Sequence, residues 1–110
     1  MEIQFRVQGS STEPYLVTFI RDVEGLIASC TCAAGSMGQY CKHRLAILAG
    51  DATSLVSDNG TDIATVTQWL DGSMLSRALA ELEAAEQQLE AAKRAVASAK
   101  KRLSQAFSGR

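Results

Sequence analysis

Cys30-Thr31-Cys32-Ala33-Ala34-Gly35-Ser36-Met37-Gly38-Gln39-Tyr40-Cys41-Lys42-His43 contains all three cysteines and the one histidine of a 110-residue chain. Gathered as C-x-C, eight residues, then C-x-H, these four side chains read as the ligand set of a metal ion. Three thiolates and an imidazole suit zinc better than iron, and four protein ligands close a tetrahedral coordination sphere. On extended chain alternate side chains share a face, which puts Cys30 and Cys32 together. A cysteine and a histidine two apart at a helix start can turn toward the same point. Gly35 and Gly38 loosen the loop between the pairs enough for it to fold back. The expectation is one structural Zn²⁺ per chain on Cys30, Cys32, Cys41 and His43. The competing readings are a chance cluster of buried thiols and a Cys41–His43 nucleophile pair, for which no orienting carboxylate is evident.

Upstream of this stretch the chain reads as strands. Ile3, Phe5 and Val7 alternate with Gln4, Arg6 and Gln8, the period of a half-buried strand. Gly9 to Pro14 is turn chemistry, and Tyr15 to Arg21 is rich in β-branched and aromatic residues. After a turn at Asp22–Gly25, Leu26 to Cys30 forms a third strand that delivers the first ligand. An antiparallel meander follows from these short connections.

Downstream the period becomes helical. A helix from about Gln39 carries Leu45, Ile47 and Leu48 and stops at Gly50. Asp58-Asn59-Gly60 signals a turn, and Thr61 or Asp62 can cap a short helix that runs through Trp69 and Leu70. Trp69 and Tyr40 read as buried core. Ser73 is the N-cap expected for the final segment.

From Met74 to Phe107 there is no glycine or proline. Leu75, Leu82, Leu89, Val96 and Leu103 recur every seven residues, and Ala78, Ala85, Ala92, Ala99 and Ala106 recur three positions later. Taken as a and d positions, they describe nearly five heptads of a helix about 50 Å long. A globular body of some 70 residues is about 25–30 Å across, too short to cover such a stripe. The expected organisation is α+β: residues 1–72 form a small antiparallel zinc-bearing domain, and residues 73–110 a long coiled-coil helix.

The ten a and d residues form the expected dimer interface, and their order chooses the direction of pairing. In an antiparallel pair each leucine or valine faces an alanine of the second copy, for example Leu75 opposite Ala106 and Leu89 opposite Ala92. A parallel pair would stack alanine on alanine at every d layer. The flanking charges agree, with Glu81 facing Arg102 and Glu86 facing Lys93 across an antiparallel pair. Such exposed ion pairs contribute only about 0.2–1 kcal/mol each, so they set orientation rather than strength. The alternative occupant of the stripe is a helix from another protein.

The C-x-C…C-x-H pattern, preceded by a β-meander and followed by the apolar helix Cys41-Lys42-His43-Arg44-Leu45-Ala46-Ile47-Leu48, resembles the SWIM zinc finger. The resemblance covers about residues 1–50. It implies a ββα-type zinc module with Cys30, Cys32, Cys41 and His43 as ligands, in an adaptor-like role binding nucleic acid or protein. It does not extend to residues 51–110.

Composition narrows the function. Residues 1–72 carry four basic and eight acidic side chains; residues 73–110 carry seven and four. Three cysteines cannot complete a disulfide framework within one chain. The N-terminus lacks a basic-then-apolar leader pattern, and no apolar run reaches membrane-spanning length. A reducing, cytoplasmic setting without membrane insertion is expected. There is no P-loop, paired-carboxylate frame or triad, so the expectation is not an enzyme. It is a zinc-stabilised interaction module that dimerises and binds or blocks a larger protein complex. Nucleic-acid binding is the second expectation, with Lys42, Arg44, Lys100, Lys101 and Arg102 as candidate phosphate contacts. An acidic N-terminal part argues against it, because phosphate contacts dominate affinity for duplexes.

Overall fold

The computed structural model describes residues 1–109; Arg110, the last residue of the expected 73–110 segment, lies outside the described residues. The architecture is α+β. Strands β1 (Glu2–Val7), β2 (Tyr15–Asp22) and β3 (Gly25–Cys30) form one antiparallel sheet in the order β1-β2-β3. Helices α1 (Ala33–Ser36), α2 (Lys42–Leu48), α3 (Ile63–Leu70) and α4 (Met74–Phe107) follow, with a 3₁₀ turn at Gly60–Asp62 ahead of α3. The chain divides into two units, Met1–Ser76 and a second that begins at Arg77.

The register sets one face of the sheet inward. Phe5 pairs with Val17, Ile3 with Phe19, and Val17 in turn with Cys30, so these side chains share a face. Phe5, Val17 and Phe19 are fully buried, and the rings of Phe5 and Phe19 meet edge-on at 6.0 Å. Ile47 and Leu48 of α2 and Ile63, Val66 and Trp69 of α3 are buried with them. Burial of each such side chain contributes about 1.5–3 kcal/mol. Trp69 is core, as expected; Tyr40 is not, being 67% exposed beside the ligand loop. Its expected burial is corrected because α2 begins at Lys42 rather than near Gln39, which leaves Tyr40 on non-helical chain.

The segment between α2 and α3, which sequence reading leaves as a bare loop and turn, closes the outer edge of β1. Gln8 donates its backbone N–H to Ser54 at 2.8 Å, Val56 donates to Arg6 at 2.8 Å, and Val7 forms a bridge with Leu55. Asn59 Nδ2 donates to the Gln4 carbonyl at 2.8 Å, and the Arg6 N–H reaches Ser57 Oγ at 3.1 Å. An open strand edge is a template for unwanted pairing, and this segment covers it.

Helix α4 runs the full 34 residues expected. Ser73 caps its first turn, its Oγ accepting from the Ser76 N–H at 3.1 Å. No residue of α4 is buried. No helix among the described residues is long and apolar enough to cross a membrane.

Candidate metal centre

Three local features bring the four ligands together. β3 ends at Cys30, and Thr31 extends the pairing one step: its N–H donates to the Leu16 carbonyl, and its Oγ1 accepts from the Leu16 N–H at 2.9 Å. The backbone between Cys30 and Cys32 is thereby tied to β2. Cys32 is the N-cap of α1, its Sγ accepting from the Gly35 N–H at 3.2 Å. Cys41 is the N-cap residue of α2, and His43 lies in the first turn of that helix.

Gly35 does not loosen this region; it makes the fold-back tight. A Cβ at this position would stand 2.5 Å from the Cys30 carbonyl oxygen and 2.7 Å from the Cys30 Cβ. Only a residue without a side chain lets α1 lie against the end of β3. Gly38, at φ +70°, turns the chain out of α1 and toward Cys41.

The ligating atoms of Cys30, Cys32, Cys41 and His43 all lie within 4.8 Å of one another. Cys32 Sγ is 3.4 Å from Cys41 Sγ, and His43 Nδ1 is 3.6 Å from Cys41 Sγ and 3.8 Å from Cys30 Sγ. Zinc bonds of about 2.3 Å to sulfur and 2.0–2.1 Å to nitrogen give tetrahedral edges of about 3.5–3.8 Å. Three of the six edges of the cluster have about the lengths of a zinc tetrahedron, and the three cysteines, which form no disulfide, are almost fully buried. The donor set fits zinc.

The thiols differ in acidity. Burial, with the neighbouring Cys32 and Cys41, pushes Cys30 up to about 12, against the pull of the Cys32 backbone N–H. Burial also raises Cys41, but the Arg44 amide and contacts with Cys32, His43 and Cys30 outweigh it and bring Cys41 down to about 6. The thiol at the start of α2 is thus the more acidic of the two. When bound, zinc supplies charge neutralisation and a cross-link between the strand end, α1 and α2. Four protein ligands leave it no open position for substrate.

The other sequence-predicted residues are scattered. Lys42 is exposed at the start of α2. Arg44 is half-buried and committed to the scaffold, donating from Nη1 to the Ala28 carbonyl at 3.1 Å and from Nη2 to the Gln39 carbonyl. Those bonds tie α2 to β3 and to the ligand loop. Lys100, Lys101 and Arg102 are exposed on α4, with Arg102 Nη1 donating to Ser98 Oγ at 2.9 Å. Of the ten predicted interface residues, Leu75 is half-buried; Ala78, Leu82, Ala85, Leu89, Ala92, Val96, Ala99, Leu103 and Ala106 are exposed. Within the single chain Lys93 Nζ pairs with Glu90 at 3.5 Å.

Sequence reading missed Gly9 and Tyr15 as neighbours of the site. The Tyr15 ring lies 4.9 Å from the His43 imidazole, centroid to centroid. The inward face of β2 predicts an inward Tyr15, but not what it meets.

These features define a Cys₃His zinc module. Residues 15–49, the span from β2 to the end of α2, match the family model of the SWIM zinc finger. No curated protein and no solved structure matches the chain. The N-terminal part is thus a zinc-binding module similar to the SWIM finger, with one structural zinc.

Proposed function

We propose that the protein is a non-enzymatic, zinc-stabilised adaptor that dimerises antiparallel through α4 and binds or blocks a larger protein complex in a reducing, cytoplasmic setting. The observation that carries this reading is the open stripe on α4. Leu82, Leu89, Val96 and Leu103 recur every seven residues and are 36%, 55%, 54% and 55% exposed. Regularly spaced leucines on a helix are stabilised only when another apolar surface takes them from water. The alternation of large and small layers selects a second copy running the other way. In that pair Lys93 would exchange its Glu90 partner for Glu86 of the second copy.

A closed Cys₃His set uses every thiol and the imidazole of the chain for folding, which supports a binding role over chemistry. Sedimentation equilibrium at tens of micromolar tests the dimer: a two-chain mass is expected, and a monomer would overturn it. In a background that keeps the zinc site loaded, single variants Leu89→Cys and Ala92→Cys should give a mixed disulfide when combined if the helices run antiparallel, whereas a parallel pair would join each variant only to its own kind.

Exposed Lys42 beside the metal site and the exposed Lys100, Lys101 and Arg102 support nucleic-acid binding as the second reading. The engagement of Arg44 with two backbone carbonyls removes one of its five cations. Mobility shifts at low and moderate salt test it, since phosphate-driven binding weakens steeply as salt rises. No shift at low salt would eliminate it.

A further inference from the structure

Metal-bound histidines usually hand their second ring N–H to a carboxylate, a carbonyl or water, which fixes the ring. His43 departs from that pattern. Its Nδ1 is the nitrogen that faces Cys30 and Cys41, while its Nε2 is buried with no hydrogen-bond partner. What lies over Nε2 is the β1–β2 turn. A Cβ placed on Gly9 would stand 3.0 Å from His43 Nε2 and 2.4 Å from the Tyr15 ring, which leans over the imidazole at a 48° tilt.

The turn is held in place. Gln8 Nε2 donates to the carbonyls of Ser11 at 2.8 Å and Gly9 at 3.3 Å, and the Gln8 N–H is tied to Ser54. Ser10 Oγ lies 3.3 Å from the Tyr15 hydroxyl. Gln8, Gly9 and Ser10 all precede the segment that matches the family model.

We infer that His43 binds zinc through Nδ1, and that Gly9 and Tyr15 are positioning residues that seal its Nε2 side from water and so govern how slowly the metal leaves. The imidazole is clamped between the metal on one side and an apolar roof on the other. His43 is half-buried as a whole, but water does not reach its Nε2 while the turn stays down. Gly9 is needed for space, because the roof closes against its Cα with no room for a side chain.

The inference rests on the zinc assignment, so elemental analysis of the purified chain comes first. Less than one zinc per chain overturns that assignment and this inference together. With zinc present, long-range proton–nitrogen correlation of the imidazole distinguishes the two ring nitrogens. A metal-bound Nδ1 with a protonated Nε2 is expected, and a metal-bound Nε2 overturns the inference while leaving the zinc site intact. Zinc transfer to a chromophoric chelator then reads the roof. Gly9→Ala and Tyr15→Ala should each release zinc about tenfold faster or more, the scale of losses on removing outer-shell partners. Tyr15→Phe, which keeps the ring and loses only the contact with Ser10, should release it more slowly than Tyr15→Ala. Cobalt-substituted variants should keep the ligand-field bands of a tetrahedral S₃N site, which a misfolded variant would lose. Parental release rates in both alanine variants overturn the roof.

Discussion

The two units of this chain solve the problem of apolar side chains in opposite ways. The first, Met1–Ser76, turns Phe5, Val17, Phe19, Ile47, Val66 and Trp69 inward and adds a metal cross-link where three thiols and an imidazole converge. The second is one helix whose leucines and valine stay open along a regular stripe. A sheet a few strands wide can fold over its own face, and zinc can join the chain ends that its core leaves loose. A single helix has no second layer of its own. The lesson is that one chain can contain a module that closes over its own core beside a helix that leaves its apolar stripe open.

The largest expected effect comes from taking the metal away. Structural zinc contributes about 10–16 kcal/mol of apparent binding energy, more than a body this size holds without it. Chelation, or Cys41→Ser, should expose Trp69, which is 6% exposed, and move its fluorescence to the red. Unchanged emission after complete zinc removal would break the contrast. Acid should act in the same direction: thiols and imidazolium must shed protons to become ligands, so binding releases protons and falling pH drives zinc off.

Next in size is the core of the first unit. Phe19→Ala deletes a fully buried ring that meets Phe5 edge-on, and should cost about 3–5 kcal/mol in denaturant unfolding of the zinc-loaded protein. The sedimentation behaviour of α4 should not follow it. A change of oligomeric state in a still-folded Phe19→Ala protein would show that the contrast is drawn too sharply.

Leu89→Lys tests the other region. A charge in the middle of the stripe should raise the dimer dissociation constant by about a hundredfold, or about 2.7 kcal/mol. Zinc content and Trp69 emission should stay unchanged. Sedimentation and elemental analysis on one sample decide both.

The smallest effect is expected at Asp51. The Thr53 hydroxyl and backbone N–H hold its carboxyl below the usual carboxylate range. A lowered folded value means that this stabilisation is present above the ordinary carboxylate pKa and fades as pH falls through the folded one. Asp51→Asn should slightly flatten the acid limb of stability against pH, read by chemical unfolding between pH 6 and 3, and should leave dimerisation alone.

Much of this was legible because it is written in local periods. The alternation of Ile3, Phe5 and Val7 marks β1, and the glycine-free heptads from Met74 mark α4. C-x-C and C-x-H name the ligands because cysteine and histidine occur nowhere else in the chain. Other features were hidden because they depend on what the fold brings alongside. Residues 54–59 have no strand pattern, yet their backbone closes the edge of β1. Gly35 looks like a flexible spacer until the end of β3 is found against it. Arg44 looks like a free cation until the carbonyls of Ala28 and Gln39 take it.

Chain order alone therefore determined the ligand identities, the three strands, the long helix and the stripe along it, since each is a repeat or spacing within one element. Only the tertiary structure decided which imidazole nitrogen faces the sulfurs, what covers the other, which glycine must stay bare and which arginine is committed. Those outcomes depend on distances between residues far apart in sequence, and a distance across the fold has no period to read.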